Sequence, residues 1–144
     1  SLTAGTYTVV VSDYGTSGVT GDYRMTFVKA PGVFNTPAGD SGGPLTSGVT
    51  VTGRIEVGDL DAWSFTAGTG DSVELRLGET TSTNFSPQVK LYGPNGAFIA
   101  YDWGSVDARV SATSLTAGTY TVVVSDYGTS GVTGDYSLSF TKIP

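Results

Sequence analysis

SLTAGTYTVVVSDYGTSGVTGDY occupies residues 1–23, and the same run returns unchanged at residues 114–136. The copies begin at residues 1 and 114, which sets a period of 113 residues. Beyond them the sequences drift, RMTFVKAP at 24–31 against SLSFTKIP at 137–144, while the alternating large apolar positions and the closing proline persist. Identity followed by divergence is the mark of duplicated whole repeats. The chain therefore divides into residues 1–31, the C-terminal hairpin of a preceding repeat, and residues 32–144, one complete repeat of about 113 residues. A hairpin duplicated inside a single domain is the alternative, and it accounts less well for the identity.

The repeated stretch is built from strand-forming residues, and so is the sequence between the copies. Tyr136, Leu138 and Phe140 alternate with Ser137 and Ser139, and Val73, Leu75 and Leu77 alternate with Glu74 and Arg76. That period of two belongs to strands with one face on a core. Strands are predicted over residues 51–57, 63–67, 72–77, 88–92, 97–101, 108–112, 119–125 and 136–141, and no segment reads as a helix. Gly93-Pro94-Asn95-Gly96 should close a hairpin, because Pro presets a turn and Asn-Gly accepts positive φ. Turns are also expected at Ala117-Gly118 and over residues 128–134. The fold class that follows is all-β, an antiparallel two-sheet sandwich of jelly-roll or Greek-key type. Residues 1–31 would expose Tyr7, Val9, Val11, Tyr23, Met25 and Phe27 as a free hairpin, so they are expected to dock as strands on protein outside the complete repeat.

Composition narrows the function. Seven Lys and Arg against thirteen Asp and Glu give a net charge of −6, which leaves no basic stripe for nucleic acid or anionic lipid. No apolar run is long enough to span a membrane. With no Cys there is neither a disulfide framework nor a thiolate metal site. The chain opens at Ser1 without an initiating Met, and any targeting signal is expected to lie outside it.

Several landmarks fall in a fixed order: Asn35, then Gly53-Arg54-Ile55, Gly58-Asp59-Leu60-Asp61-Ala62-Trp63-Ser64-Phe65, Leu91-Tyr92-Gly93-Pro94-Asn95-Gly96, and the run from Leu115 to Val124. In that order they resemble the bacterial pre-peptidase C-terminal domain, whose relatives include the collagen-binding modules of clostridial collagenases. The resemblance covers roughly residues 34–142. It implies a compact β-sandwich attached to secreted proteases, carbohydrate-active enzymes and surface proteins, used for binding, secretion or spacing and not for catalysis. It also implies a calcium site, which maps onto Asp40, Asp59 and Asp61, although the Glu-rich N-terminal ligands of the calcium-binding relatives are missing.

The residues themselves offer three chemistries. Gly39-Asp40-Ser41-Gly42-Gly43-Pro44-Leu45 reproduces the surroundings of a serine-protease nucleophile, but Ser41 needs a base and the chain contains no His. The segment reads instead as a turn entering a strand. Asp59 and Asp61 flank Leu60 and would point the same way on an extended segment, where two carboxylates could share a hard cation; paired acids in a turn are otherwise simply solvated. Tyr14, Tyr101, Trp103 and Tyr127 fall at or beside predicted turns, where they either pack between domains or present flat faces to a ligand.

The expected function is a non-catalytic structural repeat of a secreted bacterial fibre, stalk or adhesin, extracellular or on the cell surface, with neighbouring copies of the repeat as its partners. The alternative is an accessory module that binds carbohydrate or protein substrate for a secreted hydrolase.

Overall fold

The computed structural model describes residues 2–15, 18–32, 34–81, 84–128 and 131–144. Among them are nine strands and no helix: β1 (Gly42–Pro44), β2 (Thr50–Ile55), β3 (Asp61–Ala67), β4 (Ser72–Glu79), β5 (Pro87–Tyr92), β6 (Phe98–Trp103), β7 (Asp107–Ala112), β8 (Gly118–Asp126) and β9 (Gly134–Ile143). A five-stranded sheet in the order β1-β3-β8-β5-β6 faces a four-stranded sheet in the order β2-β9-β4-β7. The all-β sandwich expected from the sequence is therefore the fold. Its pairs are antiparallel except β1 with β3, which run parallel.

Alternation builds the core. Trp63, Phe65, Tyr120, Val122, Val124, Val89 and Leu91 point inward from one sheet and meet Ile55, Leu75, Leu77, Tyr136, Leu138 and Phe140 from the other. The Phe65 ring stacks on Tyr120 at 5.1 Å and leans on Phe140 at 4.7 Å, so aromatic packing joins the two layers. All eight strands predicted from periodicity are present, within a few residues at their ends. The expected hairpin at Gly93–Gly96 joins β5 to β6. The turn expected over 128–134 falls partly outside the described residues.

Two expectations need correction. The segment entered by Ser41 is not only a turn, because Gly42–Pro44 forms β1 along β3. A Cβ on Gly42 would lie 2.6 Å from the Ala62 carbonyl oxygen, so this strand needs glycine for its close approach, and glycine is what disguised it as a loop. The second correction concerns the repeated stretch. β8 and β9 are not a hairpin: β8 lies between β3 and β5, and β9 lies between β2 and β4 in the opposite sheet. The chain crosses the sandwich between them, and each strand is central in its sheet.

The duplicate at residues 1–31 forms no strand among its described residues. Its Tyr7, Val9, Val11, Tyr23 and Phe27 are 49–73% exposed, whereas their counterparts Tyr120, Val122, Val124, Tyr136 and Phe140 are at most 3% exposed. One sequence thus occupies two environments. Phe140→Ala is expected to cost about 3–5 kcal/mol by creating a cavity, and Phe27→Ala about 0.5 kcal/mol or less, since that ring is largely exposed. Urea unfolding of the two variants measures the difference.

Candidate functional site

Three acids meet at one end of β3. Asp40 ends a turn closed by its amide on the Pro37 carbonyl (3.1 Å), and Asp59 ends a turn closed in the same way on Glu56 (3.1 Å). Each turn carries glycine at its third position with positive φ, 86° at Gly39 and 76° at Gly58. Asp61 is the first residue of β3. One carboxylate oxygen from each of Asp40, Asp59 and Asp61 lies within 4.8 Å of the others. The structure therefore brings together the three residues named from the resemblance. Asp59 reaches its place through the turn and not through strand alternation, since β3 begins after it.

Their environments differ. Asp40 is half-buried and accepts a hydrogen bond from the Ser41 amide (2.9 Å). Asp59 is buried, and its Oδ1 accepts from the Leu60 amide and from Thr26 Oγ1, each at 2.9 Å. Asp61 is fully buried; its Oδ2 accepts from the Tyr136 hydroxyl at 2.5 Å, while its Oδ1 has no partner. Tyr136 in turn accepts from Trp63 Nε1 at 3.0 Å. Gly53, paired with Tyr136 across β2 and β9, is required here, because a Cβ would come within 2.3 Å of that hydroxyl.

A buried carboxylate oxygen without a partner is costly when ionised. Burial pushes the Asp61 carboxyl up to about 7; the Tyr136 hydrogen bond opposes the shift, and the neighbouring Asp59 and Asp40 add to it. Burial, with the Asp61 charge, also raises Tyr136 and keeps it a donor. Three clustered carboxylates, one with a vacant oxygen facing no protein donor, form a donor set suited to a hard, oxygen-seeking cation. Tyr136 and Trp63 belong to this site although the sequence reading took both only as strand residues.

Ser41 lies beside the cluster, and its hydroxyl accepts the Arg54 amide at 3.3 Å. The aromatics form a separate feature. Tyr101 and Trp103 lie on edge strand β6, Trp103 as its last residue beside the connection to β7. Trp103 stacks on Tyr127 at 3.8 Å with 9° between the planes, and Tyr101 neighbours Phe98 at 6.0 Å, which neighbours Tyr92 at 5.9 Å. Phe98, missed from the sequence, is as exposed as Tyr101. Tyr14 stands apart on the N-terminal segment, fully exposed.

Known proteins place the fold. The sequence model of the bacterial pre-peptidase C-terminal domain matches residues 59–126, from the second acid of the cluster to the end of β8. The pre-peptidase C-terminal domain of a Bacillus anthracis collagenase superposes with a TM-score of 0.55 at 18% identity, over 75% of this chain and 100% of its own. PliG of Aeromonas hydrophila, a periplasmic inhibitor of g-type lysozyme, superposes with a TM-score of 0.59 at 16% identity, over 72% of this chain and 96% of its own. PliG of Salmonella Typhimurium follows with a TM-score of 0.52 at 16% identity, over 72% and 99%. No curated protein matches the sequence. At such identities the structural likeness establishes the sandwich, and the sequence match ties β3 to β8 to the pre-peptidase C-terminal pattern.

The raised Asp61 carboxyl has a consequence in solution. Between about pH 4 and 7 the folded protein holds a proton there that the unfolded chain has released, so this group makes stability fall as pH rises through that window and level off above it. In chelator-treated buffer Asp61→Asn is expected to remove that component of the slope. Melting temperatures of both proteins from pH 4 to 8 measure it.

Proposed function

We propose that this chain is a non-catalytic structural repeat of a secreted bacterial surface array, a fibre, stalk or adhesin, in which residues 1–31 complete the sandwich of the repeat before it. The observation that carries the reading is a full second set of core side chains. Tyr7, Val9, Val11, Tyr23, Met25 and Phe27 reproduce Tyr120, Val122, Val124, Tyr136, Leu138 and Phe140 in order, with only Met for Leu as a change. This sandwich has one slot for β8 and one for β9, and both are filled by residues 118–143. Leaving six such side chains in water forgoes about 1.5–3 kcal/mol each, so a second sandwich of the same kind is the natural home for them. The absence of His and the use of Ser41 as a backbone acceptor favour a non-catalytic role.

Within the repeat, Asp40, Asp59 and Asp61 would hold a calcium ion, whose charge would satisfy the vacant Asp61 oxygen and fasten residues 37–40 to the start of β3. Calcium needs the ionised carboxylates, so its stabilising effect should grow as pH rises toward and above 7. At pH 7.5 added calcium is expected to raise the melting temperature, and Asp61→Asn to abolish the response. Equal melting curves in calcium and chelator would remove calcium from the site.

The second reading, a module binding carbohydrate or protein for a secreted hydrolase, is favoured by the exposed row of Phe98, Tyr101 and Trp103 on an edge strand. The PliG proteins, inhibitors of g-type lysozyme, make protein recognition by such a sandwich a reasonable companion to it.

The array reading is tested by placing a second copy of residues 32–113 ahead of residue 1 in one continuous chain. Residues 1–31 should then complete a second sandwich, and the calorimetric unfolding enthalpy should roughly double, since it scales with the number of folded residues. Phe27→Asp in this chain should unfold that added unit alone. If the added residues stay unfolded, as judged by rapid amide exchange throughout them, residues 1–31 do not complete a preceding repeat.

A further inference from the structure

Residues 24–30 run between two anchors on the five-stranded sheet. Near one end Thr26 donates to Asp59 and the Arg24 carbonyl lies against Gly58, both just before β3. At the other end the Ala30 carbonyl and the Pro31 ring lie against Gly96, in the turn after β5. Both β3 and β5 run antiparallel to β8, so these anchors stand at opposite ends of the sheet. Six extended residues span about 20 Å, enough to link them. The outward-facing residues of β3 and β8 are themselves covered, Ala62 7%, Thr121 3% and Val123 6% exposed although none belongs to the core cluster, and Ala62 lines one groove with Arg24, Thr26 and Val28.

The segment lies down on one face. Thr26, Val28 and Ala30 are half-buried, while Met25, Phe27 and Lys29 are exposed. In β9 the counterparts of Tyr23, Met25 and Phe27 point into the core, and those of Thr26, Val28 and Ala30 point away from it. The face of residues 24–30 that rests on this sandwich is therefore the face a preceding sandwich would leave free. Both packings can exist at once.

The drift between copies falls on that same face. Arg24, Thr26, Val28 and Ala30 stand where the second copy has Ser137, Ser139, Thr141 and Ile143, so every outward position differs. Of the intervening positions only Met25 differs, from Leu138. Thr to Val makes position 28 more apolar, while Ile to Ala makes position 30 smaller. Arg24, where the second copy has Ser137, lines a groove together with Asp40, Glu56 and Asp59.

We propose that consecutive repeats are stacked sheet on sheet, the outer face of the preceding repeat's four-stranded sheet packing through Thr26, Val28 and Ala30 onto the outer face of β3 and β8 around Ala62, Thr121 and Val123. The occupant of this surface is the preceding repeat itself, so the proposal rests on the array reading above. Four sheets at about 10 Å spacing give a compact pair some 30 Å deep between its outermost backbones, and not two beads on a flexible tether. The Pro37–Asp40 turn then leads into β1.

The test uses the two-repeat chain described above, with calorimetry to count sandwiches and small-angle scattering to read their arrangement. Val28→Asp is the informative variant, because the counterpart Thr141 is exposed in β9 and an acid there leaves the strand able to fold. The expected result is a compact parent pair, with Val28→Asp keeping both sandwiches but increasing the maximum dimension and flexibility of the pair. Val28→Thr, which restores the second copy's residue, should stay closer to the parent. A parent already extended and flexible, or a Val28→Asp profile that superposes on the parent while both sandwiches are folded, overturns the stacking and leaves the array intact. Failure of the second sandwich to form in the parent overturns the array, and the stacking with it.

Discussion

The hydroxyl of Tyr136 holds the two layers and the acidic site in one arrangement. Its strand, β9, belongs to the four-stranded sheet, while the groups it bonds, Trp63 Nε1 and Asp61 Oδ2, belong to β3 of the other. A hydrogen bond to a charged or buried partner inside a sandwich is worth more than one at its surface, and leaving its members unpaired costs more still. The phenol can reach across only because Gly53 has no side chain beneath it. It ties Asp61 of β3 to the point where Gly53 of β2 pairs with β9, and with Oδ2 engaged it leaves Asp61 Oδ1 without a partner.

The duplicated stretch separates what sequence dictates locally from what the fold imposes. Some local features survive in both copies. Tyr7 donates to the Thr3 carbonyl as Tyr120 does to Thr116, and Gly18 and Gly131 share a φ of 59°. These depend on neighbours within a few residues. Strand structure does not survive, because β8 and β9 exist only between partners far away in sequence. The same distinction explains the misread hairpin. Period-two alternation gives the inward residues of each strand correctly, but nothing local says whether consecutive strands pair with each other or with opposite sheets. The strand β1 escaped for a different reason: a Gly-Gly-Pro strand carries no periodicity at all.

For the site, the acids near Trp63 were legible as a pair, and Asp40 became legible only through the family resemblance, since a turn some twenty residues upstream has no local sign of where it docks. Tyr136 and Trp63 were read as strand aromatics. Their signal lay in their chemistry, because a core position filled by a hydroxyl or an indole N–H needs a polar partner, and Asp61 is the polar residue that the hydrophobic pattern of β3 does not account for. The β6 aromatics were read as lying at or beside turns, with the strand ended at residue 101; β6 runs on to Trp103. Two further residues of alternation put Tyr101 and Trp103 on the same face.

That face connects the sheet surface to the array. Ala62, Val123, Lys90 and Tyr101 are successive partners across β3, β8, β5 and β6, so they form one row on the outer side of the five-stranded sheet. Residues 24–28 share a groove with Ala62 at one end of the row, and the segment reaches the β5–β6 turn at Gly96. A sheet carried on those residues extends in the direction of Tyr101 and Trp103. Large exposed apolar patches on a sandwich mark surfaces that meet something else, and the described residues include two such groups: Tyr7, Val9, Val11, Tyr23, Met25 and Phe27, and the β6 aromatics. A stacked array covers the first with a core and brings the second to the rim of the seam. A binding module needs Trp103 open to its ligand. The two functional readings thus make opposite demands on the Trp103 and Tyr127 stack, which shields one face of each ring and leaves the outer faces for either a neighbouring repeat or a substrate.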